Sequence, residues 1–235
     1  MLSDLVDWRR GGGYVWSYVR SAPWTFSWLT VLLATTIVQH SVSDSTLDHL
    51  LVKRSTNLNN LHHNPVQVLV QSLLWIDGNY WFPYLLSYII FHATAERWLG
   101  SWRWAVIGLT AHVGATYLSQ GILRYAIDQG WASSQMVDVR DVGVSYFMAA
   151  IIGVLIYHIA YPWRWLYLAA ALAKYGLPLI HGGFTDIGHF SSLLIGFAFY
   201  PLIRGRENNL LDPMNVYRWG RERIAVTRAP KPTNE

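Results

Sequence analysis

Asp141-Val-Gly-Val-Ser-Tyr-Phe-Met-Ala-Ala-Ile-Ile-Gly-Val-Leu-Ile-Tyr157 is an apolar run with small residues at Ser145, Ala149 and Gly153. A four-residue period puts all three on one face of a helix. A second run answers it: Gly188-His-Phe-Ser-Ser-Leu-Leu-Ile-Gly196, with a small stripe at Gly188, Ser192 and Gly196. Such faces let two helices in a membrane approach closely. If these two faces meet, Ser145 and His189 lie near the contact at similar depth. A hydroxyl and a base then stand together inside a membrane.

Composition points the same way. Of 235 residues, 52% are hydrophobic, 15% aromatic and only 14% charged, whereas a soluble domain carries about 25% charged residues. The 13 Trp and 14 Tyr suit aromatic belts at two membrane interfaces. With no cysteine, disulfides and thiolate metal sites are excluded and the redox compartment stays open. The net charge of +4 comes from cations clustered at the chain ends and in two short turns. That pattern fits membrane topology and argues against a nucleic-acid partner. No signal peptide is expected, because Arg9, Arg10, Gly11-Gly12-Gly13 and Arg20 interrupt the first 22 residues.

The chain therefore reads as an all-α integral membrane protein with six spans. Residues 1–22 form a cytosolic amphipathic arm broken by its glycines, 23–204 the membrane domain and 205–235 a basic cytosolic tail. The spans are expected at about 23–42, 80–95, 102–122, 142–160, 163–180 and 187–203. Residues 43–78 are a long connection; its last part, Val66 to Trp75, is too short and polar to span and is expected at the interface. Residues 123–141 read as a polar loop. Gly176 and Pro178 predict a kink in the fifth span. Arg9, Arg10 and Arg20, the Arg97/Arg103 and Arg164 turns, and the tail cations from Arg204 to Lys231 all fall on one side of an even number of spans. Both termini are then cytosolic. Helices 2, 4 and 6 all run inward, so Tyr80, Tyr84, Ser145 and His189 lie within a turn or two of their outer ends.

A serine hydroxyl needs a base in reach to become a nucleophile, and His189 is the histidine at matching depth. The alternative is a serine that only packs helices. First-turn N–H groups near Val144 and Ser145, or the hydroxyls of Tyr80 and Tyr84, are candidate oxyanion donors; as alternatives, both tyrosines belong to the aromatic belt. Gly143, Ala149, Gly153, Gly188, Ser192 and Gly196 are the expected packing residues. Asp141 is expected to cap helix 4. Asp186 precedes helix 6 and is expected to cap it or orient His189. His92, His112 and His158 read as interhelical hydrogen-bonders, and Lys174 is left without a role. His181, Asp186 and His189 match no zinc spacing, so neither metal nor cofactor is expected.

Gly143-Val-Ser-Tyr146, His189 followed by Ser192 and Gly196, and Glu96-Arg-Trp-Leu-Gly-Ser101 resemble three motifs of the rhomboid family of intramembrane serine proteases. These are a G-x-S-x serine on helix 4, a histidine on helix 6 followed by small residues, and an E-x-x-x-G-S turn after helix 2. The resemblance covers about residues 23–204. It implies a six-helix core with cytosolic termini, Ser145 as nucleophile and His189 as base. The substrate would be a transmembrane segment of another protein, cut near its outer end, in a lipid surround and with the cell membrane as location. The sequence departs from the family where a histidine and an asparagine usually stand early in helix 2, here Tyr80 and Tyr84. The tryptophan-arginine pair of the first loop is absent, with Asn64-Pro-Val-Gln67 in its stretch. A bulky Tyr146 follows the serine, and Ser192 replaces a common glycine. Two functions stay open: a protease with a Ser-His dyad, or a catalytically inactive relative that binds partner transmembrane helices as a scaffold or complex subunit.

Overall fold

The computed structural model describes residues 8–78, 80–206 and 210–215, with side chains from residue 12 onward. Its regular elements are all helical, apart from one isolated parallel bridge between Ile159 and Leu211. The expected tail cations beyond Arg206, and Arg9 and Arg10 as side chains, lie outside what is described.

Helix α1 (Trp8–Arg20) runs unbroken through its glycines, which corrects the expected break. It meets α2 (Pro23–His40) at 98°. Pro23 opens α2 because its fixed φ suits a first helical position. The long connection holds three short helices rather than open loop: α3 (Asp44–Arg54), α4 (Leu58–His63) and α5 (Pro65–Ser72). Its polar residues are partly caps. The Ser43 side chain accepts from the Thr46 N–H, and the Asn57 side chain from the Asn60 N–H.

Next, α6 (Trp81–Ser87) passes through a wide π turn (Tyr88–His92) into α7 (Ala93–Leu99). Gly100, at φ 82°, makes the sharp exit into α8 (Ser101–Asp128). At 28 residues α8 outruns the expected span. The predicted loop from residue 123 starts as helix, held by the Arg124–Asp128 pair at 3.0 Å. Helix α9 (Val144–Leu155) ends in a 3₁₀ turn. Helix α10 (Trp163–Gly176) gives way to a 3₁₀ turn at Leu177, beside Pro178, where a kink was expected. Helix α11 (Phe184–Ala198) begins a turn earlier than expected, after the extended Gly183, and α12 (Tyr200–Ile203) follows.

Among the described residues, no single helix is long and apolar enough to cross a membrane; α1 and α2 pass that measure only together, across their bend. The second, fourth, fifth and sixth expected spans are divided among shorter pieces, whereas the first and third fall on α2 and α8. The π turn, the 3₁₀ turns and the polar ends of α8 interrupt the apolar runs.

Helix α9 is the centre. Every one of its residues is buried except Ser145, and a helix apolar on all sides belongs in a core. One apolar cluster joins Met148, Ala149 and Ile152 to Leu32, Tyr88 and Leu193. Another joins Phe147, Ile151 and Val154 to Leu99, Trp104 and Ile107. Helices α8, α9 and α11 pack against one another as the innermost three.

Glu96 ties the elements at one end. Its buried carboxylate accepts the N–H groups of Trp24 and Thr25 at 3.0 and 2.7 Å, and the Ser101 hydroxyl at 2.7 Å. It so caps α2 from a distance and holds the α7–α8 turn.

Candidate functional site

Helices α9 and α11 meet through bare backbone. A Cβ on Gly196 would overlap the Ala150 carbonyl, and one on Gly153 would lie 2.5 Å from the Leu193 carbonyl oxygen. The Ser192 hydroxyl donates to the Tyr146 carbonyl. Ala149 is fully buried within this seam. At the seam's upper end, a Cβ on Gly188 would lie 2.6 Å from the Tyr146 ring. Tyr146 thus uses the space that a bare α11 leaves. Gly143 packs on the His112 ring in the same way, against α8.

This seam brings Ser145 and His189 to the wall of one cavity of about 680 Å³. Tyr84 of α6, Lys174 and Tyr175 of α10, and Asp186 of α11 line it as well. Pro83 and Met148 add apolar wall. Ser145 is half-buried and faces this space. Its hydroxyl donates to the Val142 carbonyl at 3.4 Å, and no hydrogen bond joins it to His189. The His189 ring meets the Tyr146 ring edge-on at 5.1 Å and the Tyr175 ring at 6.0 Å. The base is held between two aromatic rings.

The oxyanion candidates separate. Tyr84 lines the cavity, whereas Tyr80 is 74% exposed and does not. Val144 is buried at the first position of α9, where N–H groups have no intrahelical acceptor.

Asp141 does not cap α9. The N-cap is Gly143, without a side-chain bond. The Asp141 carboxylate is drawn away instead: Gln120 and Thr56 donate to its Oδ2 at 3.0 and 3.3 Å, and its own N–H donates to Ser55 at 3.0 Å. Burial raises its pKa, against the lowering effect of the Gln120, Tyr146 and Thr56 contacts. Asp186 lies within the first turn of α11 rather than ahead of it, with Oδ2 folded against Gly183.

Three other histidines pack within the bundle away from Ser145, and His158 stacks on a ring rather than making the expected hydrogen bond. The Trp104 indole N–H donates to His92 Nδ1 at 3.2 Å. His112 Nε2 lies 3.0 Å from the Leu69 carbonyl and 3.4 Å from the Ser72 hydroxyl. His158 stacks on Trp98 at 4.6 Å.

Sequence reasoning missed a buried polar group behind the cavity. Around Asp141 stand Thr56, Gln120 and the Tyr146 hydroxyl, which faces Asp141, Ser119 and Thr185 without a hydrogen bond of ordinary geometry. A signal was present: Thr116 and Gln120 stand four apart in an apolar helix, which places both on one face. No group of residues suited to a metal ion occurs among the described residues.

A family model described as rhomboid-like protein matches residues 17–209. Neither a curated protein nor a solved structure gives a match.

Proposed function

Because the chain belongs to the rhomboid-like protein family, a family of membrane proteins of the intramembrane protease or pseudoprotease kind, we propose that it is a serine endopeptidase that cuts transmembrane segments of other membrane proteins. The single observation that carries this reading is that Ser145 and His189 line one cavity. They come from two helices whose spacing is fixed by backbone contact.

In the proposed reaction the Ser145 hydroxyl turns from the Val142 carbonyl toward His189. Its oxygen attacks the scissile carbonyl as His189 takes the proton. His189 returns that proton to the leaving amine, and water then releases the acyl group from Ser145 by the reverse proton path. The first-turn N–H groups of α9 and the Tyr84 hydroxyl are the proposed donors to the developing oxyanion. A helix hides its carbonyls in its own hydrogen bonds, so the substrate must unwind locally before it enters. The cavity suits this: its walls are largely apolar, while Lys174 and Asp186 supply polar ends. Six membrane passages with both termini cytosolic, in the cell membrane, complete the proposal on the placement of Lys and Arg.

A second reading is a catalytically inactive binder of partner helices. It draws on the Ser145 hydroxyl, which is engaged with Val142 rather than His189. Labelling of the purified protein by a serine-directed fluorophosphonate separates the two. The protease labels, and Ser145→Ala and His189→Ala both lose the label. A wild-type protein that stays unlabelled while folded would decide for the binder.

A further inference from the structure

Ser145 and His158 lie 13 positions apart on α9 and its 3₁₀ extension, about 20 Å along the axis. At the His158 end is a second cavity, of about 610 Å³, lined by Arg97, Trp98, His158, Arg206 and Leu211, with Thr94 and Gly205. It is a built feature. The Trp98 indole N–H donates to the Arg206 carbonyl at 3.0 Å, and the Arg206 guanidinium donates back to the Trp98 carbonyl at 3.2 Å. Leu211 pairs like a strand: its N–H donates to the His158 carbonyl at 2.7 Å, and its carbonyl accepts from Ala160 at 2.9 Å. Leu211 is thus clipped against the chain that follows α9.

Among the described residues, the lining contains two guanidinium groups and an imidazole, and no carboxylate. Among the described residues neither Arg97 nor Arg206 has a carboxylate partner. Arg97 sits over the Tyr18 ring at 4.7 Å, a contact that holds the cation without neutralising it. His158 is only 7% exposed, and its Nδ1 meets no hydrogen-bond partner. Two guanidinium groups without a carboxylate partner, gathered on one cavity, suit an anion. Guanidinium donors match phosphate oxygens in pairs.

Exposed aromatics neighbour these elements in the chain: Trp24, whose N–H donates to Glu96 next to Arg97, Trp102 beside Ser101, and Tyr161 and Trp165 after the Ile159–Leu211 bridge. Exposed Trp and Tyr mark the headgroup layer of a bilayer, where basic pockets take up anionic headgroups.

We propose that this cavity is a binding site for a phosphate group, carried by an anionic lipid headgroup or by a small soluble phosphate. It is independent of the Ser145 chemistry and rests only on the membrane character of the family. The test is thermal unfolding of the purified full-length protein in neutral detergent. Short-chain phosphatidylglycerol, short-chain phosphatidylcholine and inorganic phosphate are added separately at matched concentrations. Phosphatidylglycerol should raise the unfolding midpoint and phosphatidylcholine should not. In Arg97→Gln, and in Arg97→Gln with Arg206→Gln, the concentration needed should rise about 10-fold or more, while Arg97→Lys keeps part of the effect. A shift by inorganic phosphate as large as that by the lipid, and equally sensitive to Arg97→Gln, identifies a soluble phosphate as the ligand and upholds the site. The proposal is overturned if neither phosphate source shifts the wild type, or if Arg97→Gln responds like the wild type. Among the described residues the Arg97 side chain makes no hydrogen bond, so its single variant decides the matter even if the double variant fails to fold.

Discussion

The Glu96 carboxylate accepts the N–H of Thr25 at 2.7 Å across 71 positions of sequence. With Trp24 and Ser101 it satisfies three donors at once. Hydrogen bonds to a charged group contribute about 1.5–3 kcal/mol each, and a buried donor left alone is costly. Glu96→Ala should therefore lower stability by about 3 kcal/mol or more. Glu96→Gln should fall between, because an amide offers one acceptor where the carboxylate offers two. Denaturant or thermal unfolding in detergent measures both. A loss below about 0.5 kcal/mol for the alanine variant would mean that water already serves these donors.

The α9–α11 seam predicts a contrast between glycines. Gly196→Ala puts a methyl into the Ala150 backbone, and overpacking of this kind costs about 1–3 kcal/mol. Gly121→Ala in α8 meets nothing within 4 Å and should be neutral or gain up to about 1 kcal/mol. Unfolding midpoints of the two variants should move in opposite directions or differ clearly. Equal midpoints would show that the seam relaxes freely.

For the proposed protease, Ser145→Ala and His189→Ala should each abolish cleavage of a membrane substrate to a similar degree, because nucleophile and base act as one unit. Tyr84→Phe should slow cleavage by about 10²-fold if its hydroxyl meets the oxyanion. Tyr80→Phe should leave cleavage unchanged, since Tyr80 stands outside the cavity. Initial rates in lipid vesicles read all four. A slow Tyr80→Phe beside an unaffected Tyr84→Phe would reverse the assignment of donors.

Asp141 sets a dependence on pH. Burial raises its pKa above the ordinary 3.8, so the folded state binds this proton more tightly than the unfolded state does. Stability is then highest below the ordinary carboxylate range and declines as pH rises through the raised value. Asp141→Asn cannot lose a proton there and should lack that decline. The difference in unfolding free energy between wild type and variant, followed upward from pH 4, should change in the variant's favour. A constant difference would indicate that the same pKa persists in both states.

Much of the architecture was legible in the residues. Gly153 and Gly196, the bare positions of the two small-residue stripes, mark the points where the α9 and α11 backbones come close. Glycine and proline marked the exits at Gly100 and Leu177 because they act on the local backbone. Less local features were not legible. Helix α1 continues through three glycines, a cost that propensity alone would assign to a break. The carboxylate of Asp141 passes over the nearby helix start for Thr56 and Gln120, which arrive from distant segments. Tyr80 and Tyr84 share one spacing and one chemistry, yet only Tyr84 faces the cavity. That distinction depends on where α6 begins to turn, which neighbours beyond its own sequence decide.

The bare seam between α9 and α11 also sets where the molecule can yield. Carbonyl against methylene offers no rotamers to exchange, so these two helices behave as a stiff axle. The opposite wall includes Tyr84 and Lys174 on α6 and α10. The lysine chain in particular can swing about several bonds. Admission of anything bulky should therefore draw on that softer wall more than on the α9–α11 seam.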